Sequence, residues 1–321
     1  MNIAVDVMGG DYAPAELIAG AIQRLQDTDA TFLLVGDETT IKNELEAYRF
    51  DPERIKIIHA SQVIHMDESP ATALRKKKDA SIVVATRLVK EGAAHAVISC
   101  GSTGAQMAAA IFILGRMDKI DRPPIVTAIP TEQDDYALLI DVGANVDCKP
   151  RQMLQFAVLG SAYAATLWDK SSPVVALLNN GEEETKGNSL AVESYGLLKQ
   201  NTNINFVGNI EGRDIFSGKS DVIVCDGFTG NILLKCMEGM GSFLAKACGK
   251  ELGYIPAVFQ RLDYSKIGGA PLLGVEGISI VCHGSSKREA VYNGIRVAEE
   301  CVQKNIVSLQ KEALSLSQLT E

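Results

Sequence analysis

An α/β fold built on a mostly parallel sheet is the architecture this 321-residue sequence predicts. Three observations predict it. Short apolar runs of strand length alternate with helical patterns almost from end to end. Most runs lead into a polar, glycine-containing turn and then a helix, the rhythm of strands whose crossovers cover both sheet faces. No Pro- or Ser-rich linker, repeat or low-complexity tract interrupts the pattern, and 46% hydrophobic residues suffice for a sizeable core. One α/β unit over residues 1–321 is expected, of a size that also accommodates two lobes around a cleft.

In order, Ile3–Val7 reads as the first strand, and Pro14 suits the first turn of a helix carrying Leu17, Ile18, Ala21, Ile22 and Leu25 on one face. Phe32–Val35, Ile55–Ile58 and Ala96–Ser99 read as further strands. Ile125–Ile129 and Ala137–Ile140 are separated only by a loop, so part of the sheet is expected to be antiparallel. Val174–Leu178, Ile204–Val207, Val222–Cys225 and Ile278–Cys282 follow, and a last helix is expected from about Ser286 to beyond Leu309.

Composition excludes several classes. A net charge of -9 disfavours nucleic acid as a partner. Seven cysteines without a C-x-x-C pair do not form a disulfide framework. Cys100, Cys225 and Cys282 each close an apolar run, the setting of reduced buried thiols, which fits a cytoplasmic location. The N-terminus lacks the basic segment of a signal peptide. The longest membrane candidate, Met107–Leu114, falls far short of the ~20 residues a spanning helix needs.

The chemistry is expected in the turns after the strands. Asp6-Val7-Met8-Gly9-Gly10-Asp11, Gly101-Ser102-Thr103-Gly104 and Asp141-Val142-Gly143-Ala144-Asn145 are three of them. Asn179–Asn188, with Gly181, Lys186, Gly187 and Asn188, is the fourth. Asp226-Gly227-Phe228-Thr229-Gly230-Asn231 and His283-Gly284-Ser285-Ser286 complete six. Singly, each is an ordinary loop or cap. On one parallel sheet they would share the C-terminal edge, where α/β sheets bind ligands, and their glycines and free N–H groups suit an anion. G-x-G-x-x-G, G-x-x-x-x-G-K-[ST] and H-E-x-x-H are absent, and His59, His65, His95 and His283 are scattered. Neither nucleotide, metal nor other cofactor is expected.

At these turns the sequence resembles the bacterial phosphate acyltransferases of phospholipid synthesis. The likeness runs through Ile3–Asp11, Leu177–Asn188, Asp226–Asn231 and His283–Ser286, in order and over essentially the whole chain. It implies a Rossmann-like three-layer α/β/α sandwich related to isocitrate and isopropylmalate dehydrogenases and phosphate acetyltransferases. It also implies a homodimer, and transfer of an acyl group from acyl carrier protein to inorganic phosphate, giving acyl phosphate for a downstream membrane acyltransferase. Lys186 and Asn231 are the implied catalytic residues. Tyr12 stands where members often have His, so position 12 receives no acid–base role. The stretch from Glu238 to Gly268 is shorter than the helical hairpin, linked to peripheral membrane contact, that some members carry. A β-decarboxylating dehydrogenase of the same fold class is the alternative; it would require a metal and a nicotinamide.

Phosphate needs no activation as a nucleophile, so Lys186 as counter-charge and Asn231 as amide donor would suffice for direct attack. The bland readings are a solvated lysine and a helix N-cap. Acylation of Cys100 or Cys225 is the competing mechanism. Arg75-Lys76-Lys77-Lys78, four cations on an acidic background, is the expected docking site for acyl carrier protein, against the plainer reading of a solvated face. Ile232, Leu233, Leu234, Met237, Met240, Phe243 and Leu244, continuing into Tyr254, Ile255, Val258 and Phe259, read as an apolar surface. About half is expected in the core, the rest in a dimer or membrane contact.

Overall fold

The structure is a computed structural model that describes residues 1–317. The chain runs β1 (Asn2–Asp6), α1 (Ala15–Arg24), β2 (Thr31–Gly36), α2 (Glu38–Leu45), β3 (Ile55–His59), α3 (Pro70–Lys76), α4 (Ser81–Lys90), β4 (Ala96–Ser99) and α5 (Thr103–Ala109). It continues through β5 (Val126–Pro130), β6 (Tyr136–Ile140), α6 (Pro150–Trp168), β7 (Val174–Asn179), α7 (Ser189–Gln200), β8 (Asn205–Glu211), β9 (Val222–Val224), α8 (Gly227–Leu252) and α9 (Ala257–Gln260). Last come α10 (Tyr264–Ile267), β10 (Ala270–Pro271), β11 (Ile278–Val281), α11 (Arg288–Gln303) and α12 (Ile306–Leu316). Two compact units result: Met1–Arg116 with Tyr264–Gln303, and Met117–Asp263 with the chain from Lys304 onward.

The first unit holds a six-stranded sheet in the order β10-β11-β4-β1-β2-β3, parallel except for β10. Alternate residues feed two cores. Ala4, Leu33, Val35 and Val97 pack with Ile82 and Val83 of α4 and Ala105 of α5. On the opposite face α11 lies so close that a Cβ on Gly294 would stand 2.6 Å from Ile98 Cδ1. Beside it, Gly20 of α1 meets Val291 of α11, where an added Cβ would stand 2.7 Å from Val291 Cβ. Helices on both faces make three layers.

The second unit holds a five-stranded sheet, β5-β6-β9-β7-β8, parallel except for the β5–β6 pair. The antiparallel hairpin expected from the short loop is therefore present. Helix α6 lies directly on the sheet through Gly160, whose added Cβ would stand 2.8 Å from Val222 Cγ1. Phe156, Leu159 and Ala164 of α6 are buried.

The expectation of a single sheet is corrected: the eleven strands among the described residues are shared between two. Open twisted sheets rarely pass about ten strands before splitting, and the β5–β6 hairpin starts the second. The expected last helix is also two. After α11, Asn305 takes a left-handed conformation (φ 51°), which asparagine tolerates better than most residues, and α12 begins. Lys304 fixes the break by donating from Nζ to the carbonyls of Thr166 (2.9 Å) and Leu167 (3.2 Å) at the end of α6.

Helix α8 departs most from expectation. Its only buried residues are Gly227, Gly230 and Gly241. None of the eleven apolar residues read as a surface is fully buried, and Ile232, Met240, Phe243, Tyr254, Ile255 and Val258 are exposed. The half expected in the core is not there, because α8 leaves the sheet edge after its first turns. No helix among the described residues is long and apolar enough to cross a membrane.

Candidate active site

The six turns divide by sheet. In the first unit β11, β4 and β1 are parallel neighbours, so the turns beginning at His283, Cys100 and Val7 share one C-terminal edge. In the second unit β6, β9 and β7 are parallel neighbours, and the turns beginning at Asp141, Cys225 and Asn180 share another. The single six-turn edge expected from sequence is thus two three-turn edges, one per unit.

On the first edge, Asp6 closes β1 with a buried carboxylate that accepts hydrogen bonds from Ser99 Oγ (2.7 Å) and Met8 N–H (3.2 Å). Burial pushes its pKa up, and hydrogen bonds from Ser81, Ser99, Met8 and Gly9 oppose that shift. Ser99 Oγ also accepts from Gly101 N–H (3.0 Å). Gly9 packs on Gly101 so tightly that a Cβ would stand 2.8 Å from its Cα, and Gly10 needs its positive φ (113°). Asp11 N–H donates to Gly284 O (2.8 Å), joining the first turn to the last. Asp6, Ser81, Ser99 and Ser102 line a small pocket together with apolar Val63, Ile64 and Ile82. Ser102 caps α5 through Ala105 N–H (3.4 Å), with Thr103 half-buried beside it, and Gly104 packs on Pro70. His283 Nδ1 accepts from Ser285 N–H (3.2 Å) and meets Ser285 Oγ at 2.7 Å, so the imidazole is held by its own turn. Ser81 and Ser99 carry Asp6 yet were missed from sequence; Ser99, beside Cys100 at a strand end, was the readable one.

On the second edge, Asp141 organises the loop. Its buried carboxylate accepts from the N–H groups of Ile125 (3.1 Å), Gly143 (3.2 Å), Ala144 (3.0 Å) and Asn145 (2.7 Å), and from Asn145 Nδ2 (2.8 Å). Burial pushes its pKa up against these bonds. Asn145 is equally committed: Nδ2 also donates to Pro123 O (3.0 Å), and its carbonyl accepts from Gly227 N–H (2.7 Å). Both residues hold the turn together and leave ligand contact to others.

Asp226 is the N-cap of α8, accepting from Thr229 N–H (2.9 Å) and Thr229 Oγ1 (2.7 Å). The cap is therefore not Asn231, which sits within the helix. Gly143, at φ 134°, leaves room for Asn231, whose Oδ1 would lie 3.5 Å from an added Cβ. No hydrogen bond holds the Asn231 amide among the described residues. Gly227 and Gly230 let the helix start against Asn145 and Asp141.

On the turn after β7, Lys186 is exposed and its ammonium makes no ion pair among the described residues, despite Glu182, Glu183 and Glu184 nearby. Glu184 is taken by Lys199 (2.6 Å) and Tyr195 (3.2 Å). The Lys186 stem crosses Gly181, where a Cβ would stand 2.8 Å from its Cγ. Asn188 caps α7 through Ala191 N–H (2.9 Å), and Gly187 takes a positive φ (97°).

Neither Cys100 nor Cys225, the two cysteines considered as acyl acceptors, is accessible. Cys100 and Cys225 are buried; the neighbouring Cys282 thiol together with burial pushes Cys100 up, and burial pushes Cys225 up. Among the described residues no three His, Cys, Asp or Glu side chains are placed to hold a metal ion. In the basic run, Lys77 is held by Glu68 (2.5 Å) and Val63 O (2.7 Å), while Arg75, Lys76 and Lys78 are exposed.

Two mostly parallel sheets, each with glycine-rich turns at one C-terminal edge, define an α/β fold. The phosphotransacetylase of Streptococcus pyogenes is similar with a TM-score of 0.62 and 17% identity, over 98% of this chain and 94% of that one. A 4-hydroxythreonine-4-phosphate dehydrogenase from Salmonella typhimurium shares the fold with a TM-score of 0.56 and 15% identity, over 93% of this chain and 98% of that one. The sequence narrows the class. A family model described as fatty acid synthesis protein matches residues 1–309, and the chain belongs to that family. Its relative from Syntrophomonas wolfei, a phosphate acyltransferase, is 64% identical over 316 residues, 98% of this chain and 99% of that one.

Proposed function

We propose that this chain is a phosphate acyltransferase that moves a fatty acyl group from acyl carrier protein to inorganic phosphate. The observation that carries the mechanism is the pair of uncommitted donors on neighbouring turns of one sheet edge: the Lys186 ammonium and the Asn231 amide. A phosphate oxygen attacks the thioester carbonyl carbon, forming a C–O bond. The tetrahedral oxyanion accepts a hydrogen bond from Asn231 Nδ2. It collapses with cleavage of the C–S bond, and the carrier thiolate leaves. Lys186 neutralises phosphate as a point charge, for which an ammonium without a carboxylate partner is suited. Asp141, Asn145, Asp226 and the glycines position these groups. The first-unit turns, Asp6–Asp11, Gly101–Gly104 and His283–Ser285, are assigned to substrate binding through their backbone and hydroxyl donors.

Arg75, Lys76 and Lys78 dock the acidic carrier protein, with Lys77 as their structural anchor. The exposed apolar face of α8 serves the homodimer, and peripheral membrane contact is the other use such a face supports. The enzyme works in the cytoplasm and hands its product to a membrane acyltransferase. One assay tests the activity: purified protein with acyl-carrier thioester should release free thiol only when phosphate is added. Turnover requiring nicotinamide and a divalent metal instead would establish the dehydrogenase reading.

A further inference from the structure

Asn179, the last residue of β7, makes contacts that bear on Lys186. Its Nδ2 donates to the Lys186 carbonyl (3.0 Å) across the turn, and its Oδ1 accepts from Asn180 N–H (2.8 Å). The two bonds fix which end of the amide faces which partner, since a carbonyl needs a donor and an N–H an acceptor. Gly187 makes room for this amide: a Cβ there would overlap Asn179 Oδ1 and stand 3.0 Å from Nδ2. Lys186 N–H donates to Glu183 O (3.1 Å), and Glu183 O also accepts from Asn209 Nδ2 (2.9 Å). Both peptide groups flanking the Lys186 Cα are thereby tied. The carbonyl tie is Asn179 alone among the described residues.

An ammonium on a four-carbon stem is costly to localise unless its Cα is fixed, because the stem retains several rotatable bonds. We propose that Asn179 is a positioning residue for Lys186, holding the backbone from which the ammonium reaches phosphate. The proposal rests on Lys186 being the counter-charge of phosphate.

The test is a double-mutant cycle on the full chain with acyl-carrier thioester and phosphate as substrates. Asn179→Ala should lower kcat/KM for phosphate on the order of tenfold, the scale of one hydrogen bond. KM for the acyl donor and the melting midpoint should stay at wild-type values, which general loosening of the fold would not permit. In a Lys186→Ala background, adding Asn179→Ala should cost nothing further, because the residue acts only through Lys186. Asn179→Asp keeps the volume and the acceptor but loses the donor; it should show the same phosphate defect and serves if Asn179→Ala does not fold. Wild-type phosphate constants in both Asn179 variants, or equal losses with and without Lys186, would overturn the proposal. Full activity of Lys186→Ala is a separate result: it removes the role of Lys186 and, with it, that of Asn179.

Discussion

Helix α8 contains two glycines that should respond in opposite directions to the same substitution. Helix propensity alone favours alanine at both by about 0.5–1 kcal/mol. At Gly239 nothing lies within 4 Å of an added Cβ, so Gly239→Ala should realise that gain and leave activity unchanged. At Gly230 the same methyl would overlap the Asp141 carbonyl oxygen and stand 2.8 Å from Cys225 Sγ. Both neighbours are immobile: one is backbone, and Cys225 is buried and donates to that carbonyl (3.4 Å). The first turn of α8 must therefore move by about an ångström, at an overpacking cost of about 2–3 kcal/mol. Asn231 is the next residue, and misplacing a positioned group that far costs roughly 10²-fold in rate. Chemical denaturation and steady-state kinetics on the two variants read both quantities. Wild-type stability and rate in Gly230→Ala would refute the close approach on which the placement of Asn231 depends.

Asn231→Ala should cut kcat by roughly 10²-fold or more with little change in stability, since Asp226 is the cap; a loss of melting temperature alone would count against the oxyanion role. Reversing Arg75, Lys76 and Lys78 to Glu should raise KM for the carrier-bound acyl donor and flatten its salt dependence, while KM for phosphate stays put; unchanged carrier kinetics would place docking elsewhere. Activity should survive EDTA and thiol alkylation, with mass spectrometry finding label first on exposed Cys236 and last on buried Cys100 and Cys225; isolation of a competent acyl-cysteine would contradict direct attack. Hydrogen bonds from Arg288 hold Glu16 down to about 2 from 4.5, so its contribution to stability is present above pH 4.5 and lost as pH falls toward 2. The melting difference between wild type and Glu16→Gln should vanish over that window; a difference independent of pH would exclude the ion pair as its cause.

The strands were legible because each is a short apolar run bounded by turn residues: β4 is Ala96–Ser99 as read, and β5–β6 pair as the short loop required. Which sheet a strand joins was not legible, since nothing in Ala137–Ile140 distinguishes β9 from β4 as a neighbour. Strand β10 has two residues, too few for any periodicity. The break before α12 carries neither Gly nor Pro, only Asn305, so the helical pattern reads through it. At the candidate site, the turns announced themselves by glycine and short polar residues, but not the division of labour among them. Asp141 and Asn231 look equally available in sequence; burial and five donors commit one, and the left-handed Gly143 leaves the other free.

The discontinuity of the first unit orders events on the ribosome. Strand β4 has emerged by residue 99, but its neighbour on one side, β11, comes only with residues 278–281. Until then the growing chain carries an open parallel edge of buried type. All five strands of the other sheet lie between Val126 and Val224, so that sheet is fully synthesised first, although the N-terminus belongs to its companion. The second sheet is thus completed before the first, and the nascent edge of β4 is where a chaperone or a second nascent chain has longest access.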